Sequence, residues 1–322
     1  MKKVRHFINL SDVKNPELDR IFQIAEELKS EWKSGVRKQY LQGKVIALIF
    51  EKMSLRTRVS FESGMVQLGG GSVFLENQHI GLGVRESVAD IGHVLSSMVD
   101  GIVYRAKKHT SVTSLAKYCS CPVINALTDQ SHPCQALADM LTIKEEFGKL
   151  EGIKIAWVGD SNNVAASLVE IAAKLGVQVV VSSPEGYEFS EKQIKKLCGS
   201  KPKSAFSFEK IQDPFKAVAG ADAIYTDVWV SMGQENEEEE RKKAFARWQI
   251  NKELMKRTGK KSSIFLHCLP ARRGLEVTDE IMDSPQSRIV EQAANRMHAQ
   301  KGLLVWLLNE AGKKENFRSL SR

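Results

Sequence analysis

Nowhere in these 322 residues does an apolar run approach the roughly 18 residues that a membrane span needs, although apolar residues make up 42% of the chain. No membrane partner is expected. The opening Met1-Lys2-Lys3-Val4-Arg5-His6-Phe7 supplies positive charge but leads into no apolar segment of secretory length, so a cytoplasmic location is expected. Cysteine is sparse and irregular: Cys119, Cys121, Cys134, Cys198 and Cys268 are odd in number and contain one close pair, separated by a single residue. Neither a disulfide framework nor a zinc site follows from that spacing. The histidines also lack ligand spacing, so no metal and no cofactor are expected. The formal charge is +8, yet the basic residues form no stripe and no run with aromatics, and acidic residues interleave with them. Nucleic acid is therefore not an expected partner, whereas attraction of small anionic substrates accounts for the same excess.

What is present is alternation. A chain of this length is expected to divide into two domains of about 150 residues each. Leu18, Ile21, Phe22, Ala25, Leu28 and Trp32 recur at helical spacing after the candidate caps Ser11 and Asp12. Then Val45-Ile46-Ala47-Leu48-Ile49-Phe50 is a buried-strand run, with a helix expected over 56–68, a strand over 72–75 and a helix over 86–99. A strand over 102–105, a helix over 112–118, a strand over 122–125 and a helix from His132 complete the first series. A break at Phe147-Gly148-Lys149-Leu150-Glu151-Gly152 precedes a second series, with strands expected over 153–158, 177–181, 223–227 and 264–269. The fold class is α/β: two domains, each a parallel sheet flanked by helices, with a C-terminal helix over 289–308 returning to the first domain. The expected boundaries are 1–147, 148–288 and 289–322. The acidic run 237–240, followed by Arg241-Lys242-Lys243, is expected to start a solvated helix with charges suited to its dipole.

In parallel β/α units the loops at the carboxyl ends of strands form the ligand site, and the unusual residues fall there. Ser54-Leu55-Arg56-Thr57-Arg58 follows the first strand and opens a helix. Free backbone N–H groups, the helix dipole and bidentate guanidinium groups make such a turn a phosphate cradle. The same residues would also make a capped helix start with surface arginines. Arg105 ends a strand of the same series, and His132-Pro133-Cys134-Gln135 stands where the next strand hands over to a helix. With an arginine and a cradle on one sheet edge, His132 is expected to donate a hydrogen bond to a carbonyl.

These segments together resemble the aspartate and ornithine carbamoyltransferase family. S-L-R-T-R and H-P-C-Q resemble its carbamoyl phosphate half, and Asp227-Val228-Trp229-Val230-Ser231-Met232-Gly233 is similar to its D-x-x-x-S-M-G ornithine motif. His267-Cys268-Leu269-Pro270 resembles the H-C-L-P of the ornithine-specific members, and Asn295-Arg296-Met297-His298-Ala299-Gln300-Lys301 the closing N-R-x-H-A-Q-K. The resemblance implies transfer of a carbamoyl group from carbamoyl phosphate to the side-chain amine of L-ornithine, giving citrulline within arginine metabolism. It further implies a carbamoyl phosphate domain over 1–147, an ornithine domain over 148–288, a site between them, and a homotrimer or multiple of trimers.

Carried over by position, Ser54, Leu55, Arg56, Thr57, Arg105, His132, Gln135, Cys268, Leu269 and Arg296 would contact carbamoyl phosphate. Asn163, Asp227, Ser231 and Met232 would hold ornithine. Arg105, His132, Asp227 and Cys268 would take part in the chemistry, and Arg85, in the loop 78–85, would reach a neighbouring subunit's site. Two positions depart from the commonest pattern: Leu55 stands where threonine is frequent, leaving only its backbone N–H to a phosphate, and Ala166 where histidine or asparagine is frequent.

Carbamoyl transfer poses two problems, negative charge on the carbonyl oxygen and phosphate, and a nucleophilic amine that is almost wholly protonated at neutral pH. Arg105, His132 and Thr57 suit the oxygen, Ser54 and Arg56 the phosphate. Asp227 would orient the amine, and Cys268, ionised beside His267, would assist. Cys134, Cys119 and Cys121 are expected to be packing residues. The rival acceptors are putrescine, acetylornithine and aspartate. A dinucleotide-binding reading of Val158-Gly159-Asp160-Ser161-Asn162-Asn163 lacks the second and third glycines that a pyrophosphate needs.

Overall fold

The computed structural model describes residues 4–76, 85–230 and 234–310. Its chain divides into two compact units, Met1–Asp129 with Met297–Arg322, and Gln130–Arg296. In the first unit helix α1 (Asn15–Lys33) leads to β1 (Val45–Phe50), α2 (Leu55–Gln67), β2 (Gly71–Glu76), α3 (Val88–Met98), β3 (Gly101–Arg105), α4 (His109–Ala116) and β4 (Val123–Leu127). The second unit opens with α5 (Pro133–Phe147), then β5 (Lys154–Val158), α6 (Asn163–Leu175), β6 (Gln178–Ser182), α7 (Glu191–Cys198), β7 (Ser207–Lys210) and α8 (Pro214–Ala217). It continues with β8 (Ala223–Thr226), α9 (Glu238–Phe245), α10 (Lys252–Lys256), β9 (Ile264–His267) and α11 (Asp279–Met282). Helix α12 (Ile289–Val305) begins in the second unit and ends in the first.

Each unit has one parallel sheet, in the orders β2-β1-β3-β4 and β7-β6-β5-β8-β9. In the first the order reverses between β1 and β3, and in the second between β5 and β8. Successive loops diverge there and leave a crevice at the carboxyl edge. Register decides which residues reach it. Phe50 lies beside Glu76 and Arg105 in the first sheet, and Thr226 beside His267 in the second. Arg105, Asp227 and Cys268 are therefore placed at or just past these edges by strand pairing, before any side-chain contact is considered.

The sheets are rigid supports because both faces are covered. Ala47, Ile49, Ile102, Tyr104, Val112 and Leu115 share one buried cluster, and Ala156, Ile224, Phe245, Phe265, Val277 and Ile281 share another. Each such aliphatic or aromatic side chain contributes about 1.5–3 kcal/mol on burial. Cys119 and Cys121 pack in the first cluster, and Cys134 is fully buried in α5.

Two local expectations need correction. Ser11 and Asp12 do not cap α1. The Asp12 carboxylate instead accepts from the backbone N–H groups of Ile8 and Asn9, both at 2.9 Å, closing a 3-10 turn over Leu10–Asp12. Pro16, which has no N–H and a fixed φ, moves the helix start to Asn15. Strand β7 was not expected from the pattern. It is an edge strand whose Ser207, Phe208, Glu209 and Lys210 include a single apolar side chain.

The C-terminal helix packs within the first unit through Gly302. A Cβ there would lie 2.5 Å from the Ile21 carbonyl oxygen and 2.9 Å from the Ala25 Cβ, so only glycine lets α12 approach α1 this closely. Gly302→Ala is expected to cost about 1–3 kcal/mol by overpacking. A thermal melt that leaves the midpoint unmoved would disprove this contact.

Candidate functional site

In the first unit the site begins at a helix cap. Ser54 has extended backbone, its Oγ accepts from the Thr57 N–H at 3.3 Å, and its hydroxyl donates to Thr57 Oγ1 at 3.0 Å. The cap holds two hydroxyls at the N-terminus of α2, where free N–H groups and the dipole favour an anion. Thr57 is fully buried, Arg56 half-buried and Leu55 exposed. Arg105 is almost wholly buried at the end of β3. The loops that follow β1 and β3 are tied together by Glu51, which accepts from the Tyr104 hydroxyl and from the Lys107 N–H at 2.8 Å. Burial and the neighbouring Glu51 push the Tyr104 hydroxyl's pKa upward, so it stays a donor.

A cleft of about 800 Å³ opens beside this cap, lined by Phe50, Met53, Leu55 and Phe74 with Glu51, Ser54, Arg58, Glu76 and Lys107. Ser54 and Leu55 line it but Arg56, Thr57 and Arg105 do not, so it meets the N-terminus of α2 on one side only. Arg58 is turned away from an anion role: its guanidinium lies 3.8 Å from the centre of the Phe74 ring and its Nε donates to Glu62 at 3.1 Å.

In the second unit the backbone N–H of His132, the residue before α5, donates to Ser167 Oγ at 2.7 Å. One turn on, Gln135 Oε1 accepts from Arg296 at 2.7 Å. Arg296 is almost fully buried, and burial lowers its pKa against the opposing pull of Cys134 and Asp139. A guanidinium keeps its charge under such conditions.

Asp227 is the hub of a second cluster, at the end of β8. Asn162 Nδ2 donates to its Oδ2 at 2.8 Å, while Oδ1 accepts from the Val228 N–H at 2.8 Å and the Cys268 thiol at 3.0 Å. Asn162 is also the cap of α6, its Oδ1 accepting from the N–H groups of Val164 and Ala165. The tight turn before it depends on Gly159, at φ +145°, where a Cβ would lie 3.1 Å from Thr226 Oγ1. Asp160 in this turn pairs with Arg241 at 2.8 Å, and Arg241 also donates to the Trp229 carbonyl. The turn thus presents a half-buried carboxylate, unsuited to a pyrophosphate. Arg241, expected on a solvated helix, is buried for that reason.

Cys268 differs from the ionised thiol expected beside His267. Burial first, then Asp227, push its pKa well above the ordinary thiol value, so the group is a neutral donor. His267 is engaged elsewhere: its Nδ1 accepts from the Leu269 N–H at 2.9 Å and its Nε2 faces Glu276 at 3.3 Å. Cys268→Ser keeps a donor to Asp227, so it is expected to stay within about tenfold of the parent rate, with the same pH profile. A displaced pH profile would restore the thiolate. Asp227, His267 and Cys268 bring one ligand-capable atom each within 4.8 Å of one another, but either ring nitrogen of His267 would have to give up the contact it already makes, to the Leu269 N–H or to Glu276, before it could bind a cation. Leu269 adopts φ +59°, a conformation that costs a non-glycine residue about 1–3 kcal/mol and clusters at ligand sites.

Asn163 is half-buried at the first position of α6, one residue beyond the asparagine that touches Asp227. Asn162 was missed by sequence reasoning, although an asparagine at a strand-to-helix turn is a cap signal. Ala166 is buried in α6. Arg85 is exposed, while the rest of its loop, 78–84, and Ser231 and Met232 lie outside the described residues.

Comparison with known proteins gives a consistent result over nearly the whole chain. Residues 5–145 match the model of the aspartate/ornithine carbamoyltransferase carbamoyl-P binding domain, and 151–307 that of the Asp/Orn binding domain. An ornithine carbamoyltransferase of Thermococcus kodakarensis is 51% identical over 304 residues, 94% of this chain and 96% of that protein. The solved ornithine carbamoyltransferase of Pyrococcus furiosus superposes with a TM-score of 0.91 at 49% identity, covering 96% of this chain and 98% of that one. A mitochondrial ornithine carbamoyltransferase from Coccidioides immitis gives 0.88 at 39% identity, covering 97% and 99%.

Proposed function

The chain belongs to the aspartate/ornithine carbamoyltransferase family, and on that premise we propose that it transfers the carbamoyl group of carbamoyl phosphate to the side-chain amine of L-ornithine. The products are L-citrulline and phosphate. The observation that carries the acceptor assignment is the Asp227 carboxylate, locked by Asn162 on one oxygen and by Cys268 on the other. An anion so held suits a cationic amino-acid substrate, and one of its two fixing residues, Cys268, belongs to the H-C-L-P segment that resembles the ornithine-specific members.

In this reading Ser54, Arg56, Thr57 and the backbone of Leu55 hold the phosphate at the start of α2, with Gln135 and Arg296 as further contacts. Arg105 and His132 oppose charge growing on the carbamoyl oxygen, where preorganised donors act most strongly away from water. Asn163, Asp227, Ser231 and Met232 hold ornithine, and Cys268 and Leu269 lie along the substrates. The amine nitrogen forms its bond to the carbamoyl carbon as the bond to the phosphate oxygen breaks. The phosphate leaves with the electron pair and takes up the proton that the amine gives up. Cys268 serves by fixing Asp227 rather than by taking that proton.

The domain division at 147/148 and 288/289 is carried in the same proposal; the ranges of the two family models, 5–145 and 151–307, support the first of these boundaries, whereas the second falls inside the latter range. A homotrimer, or a multiple of trimers, is supported by an apolar surface on the first unit: Met53, Leu55, Val59, Val66 and Val73 are exposed around the cleft or on α2 and β2. Arg85 is assigned to the neighbouring subunit's site, and a cytoplasmic location is retained; among the described residues no helix is long and apolar enough to cross a membrane. The test offers ornithine, acetylornithine, putrescine and aspartate separately with carbamoyl phosphate. Citrulline from ornithine alone supports both halves of the reading, whereas turnover with another amine would keep the phosphate site and overturn the acceptor.

A further inference from the structure

We infer that Asp139, a residue with no assigned part in the reaction, is a positioning residue that fixes the amide of Gln135 and, through it, the guanidinium of Arg296. The inference rests on the proposed function, since Gln135 and Arg296 are there contacts of carbamoyl phosphate. Asp139 is fully buried one turn after Gln135 on α5, so the two side chains share a face. Its Oδ1 accepts from Gln135 Nε2 at 2.8 Å and from Gln292 Nε2 at 2.6 Å.

An amide has one donor end and one acceptor end, and a buried carboxylate accepts only. Asp139 therefore decides the rotation of Gln135: Nε2 must face the carboxylate, which turns Oε1 toward Arg296, 2.7 Å away. With the opposite rotation, two sets of N–H donors would confront each other at Arg296 without an acceptor, in a place that water does not reach. The same oxygen orients Gln292, whose Oε1 accepts from the His267 N–H at 2.9 Å, one residue before Cys268. Burial pushes Asp139 up to about 6 despite these donors and the nearby Arg296 and Tyr225. At assay pH above 7 it is the acceptor that the network requires.

The test compares Asp139→Ala, Gln135→Ala and the double variant with the parent, measuring KM for each substrate and kcat. Asp139→Ala, which removes the acceptor, is expected to raise KM for carbamoyl phosphate about tenfold and to change KM for ornithine less. In the Gln135→Ala background the same substitution is expected to add less than about twofold, because its effect passes through the absent amide. Asp139→Asn keeps the shape and an Oδ1 that can accept from both amides, so it is expected to hold KM for carbamoyl phosphate within about threefold of the parent, and a larger rise would mean that Asp139 acts by its charge and not by orienting the amide. Equal effects in both backgrounds, an ornithine KM displaced as far as that for carbamoyl phosphate, or failure of both Asp139 variants to fold would overturn the assignment. A parent protein without carbamoyl transfer would instead defeat the proposed function, so the two failures are distinct.

Discussion

Arg105→Met is expected to lower kcat/KM for carbamoyl phosphate by about 1,000-fold while leaving the protein folded. Arg105 is almost wholly buried at the end of β3, in register with Phe50, whose chain runs directly on to the Ser54 cap. A cation in that setting acts on developing charge with little screening, and its planar donors are already oriented. Methionine keeps an apolar stem at this buried position and removes a charge that was costly to bury. Stability should therefore change less than activity. Steady-state phosphate release, measured beside a thermal melt, separates the two. A loss smaller than tenfold in a folded variant would mean that the carbonyl oxygen and phosphate are stabilised without Arg105.

Asp227→Asn should cut kcat/KM for ornithine by about 100-fold or more, with KM for carbamoyl phosphate within about threefold. The shape of the side chain is kept, but the anion is lost, and one of its two positions becomes a donor facing the donor amide of Asn162 or the thiol of Cys268. There is a second readout. Asp227 contributes to the raised pKa of Cys268, because a neighbouring anion disfavours the thiolate. Removing the anion must lower that pKa toward the ordinary thiol value, although burial keeps part of the rise. The pH midpoint for alkylation of Cys268 should accordingly move downward in the variant. An unmoved midpoint would mean that Asp227 and Cys268 are not coupled as the 3.0 Å contact requires.

Both residues were legible in the sequence, and for a physical reason. A residue just past a buried-strand run has few places to go: Ile102-Val103-Tyr104 ends in Arg105, and Ala223-Ile224-Tyr225-Thr226 runs on to Asp227, so the strand fixes the position before any partner is known. Strands with continuous apolar runs were found within a residue or two for the same reason. β7 was not, because an edge strand of Ser207, Phe208, Glu209 and Lys210 carries almost no pattern.

Contacts made across the sequence were harder to see. Asp139 and Gln292 meet through 153 residues of separation, and neither stands at a strand end or a turn. The i, i+4 pairing of Gln135 with Asp139 was visible, but its burial was not, since a polar pair on a helix is more often solvated. Cys268 was placed correctly at the end of β9 and given the wrong protonation state. Its neighbour in sequence, His267, turns to Glu276 and the Leu269 N–H, while the partner that sets its pKa is Asp227, on another strand.

The two parallel sheets have a bearing on how such a protein can change. In the proposed reading the phosphate residues Ser54, Arg56 and Thr57 follow β1 and Arg105 ends β3 of one sheet, and the residues assigned to the amine follow β5, β8 and β9 of the other. Substitutions on the two sets of loops should be close to additive in free energy, so a lineage could exchange one amine for another and leave its donor chemistry inherited intact. Asp139 marks where that freedom ends. One of its oxygens holds Gln135 and Gln292 together, so a change in the stretch around His267 that disturbs Gln292 is felt at Arg296, and new acceptor specificities should arise more readily around Asp227 than along β9.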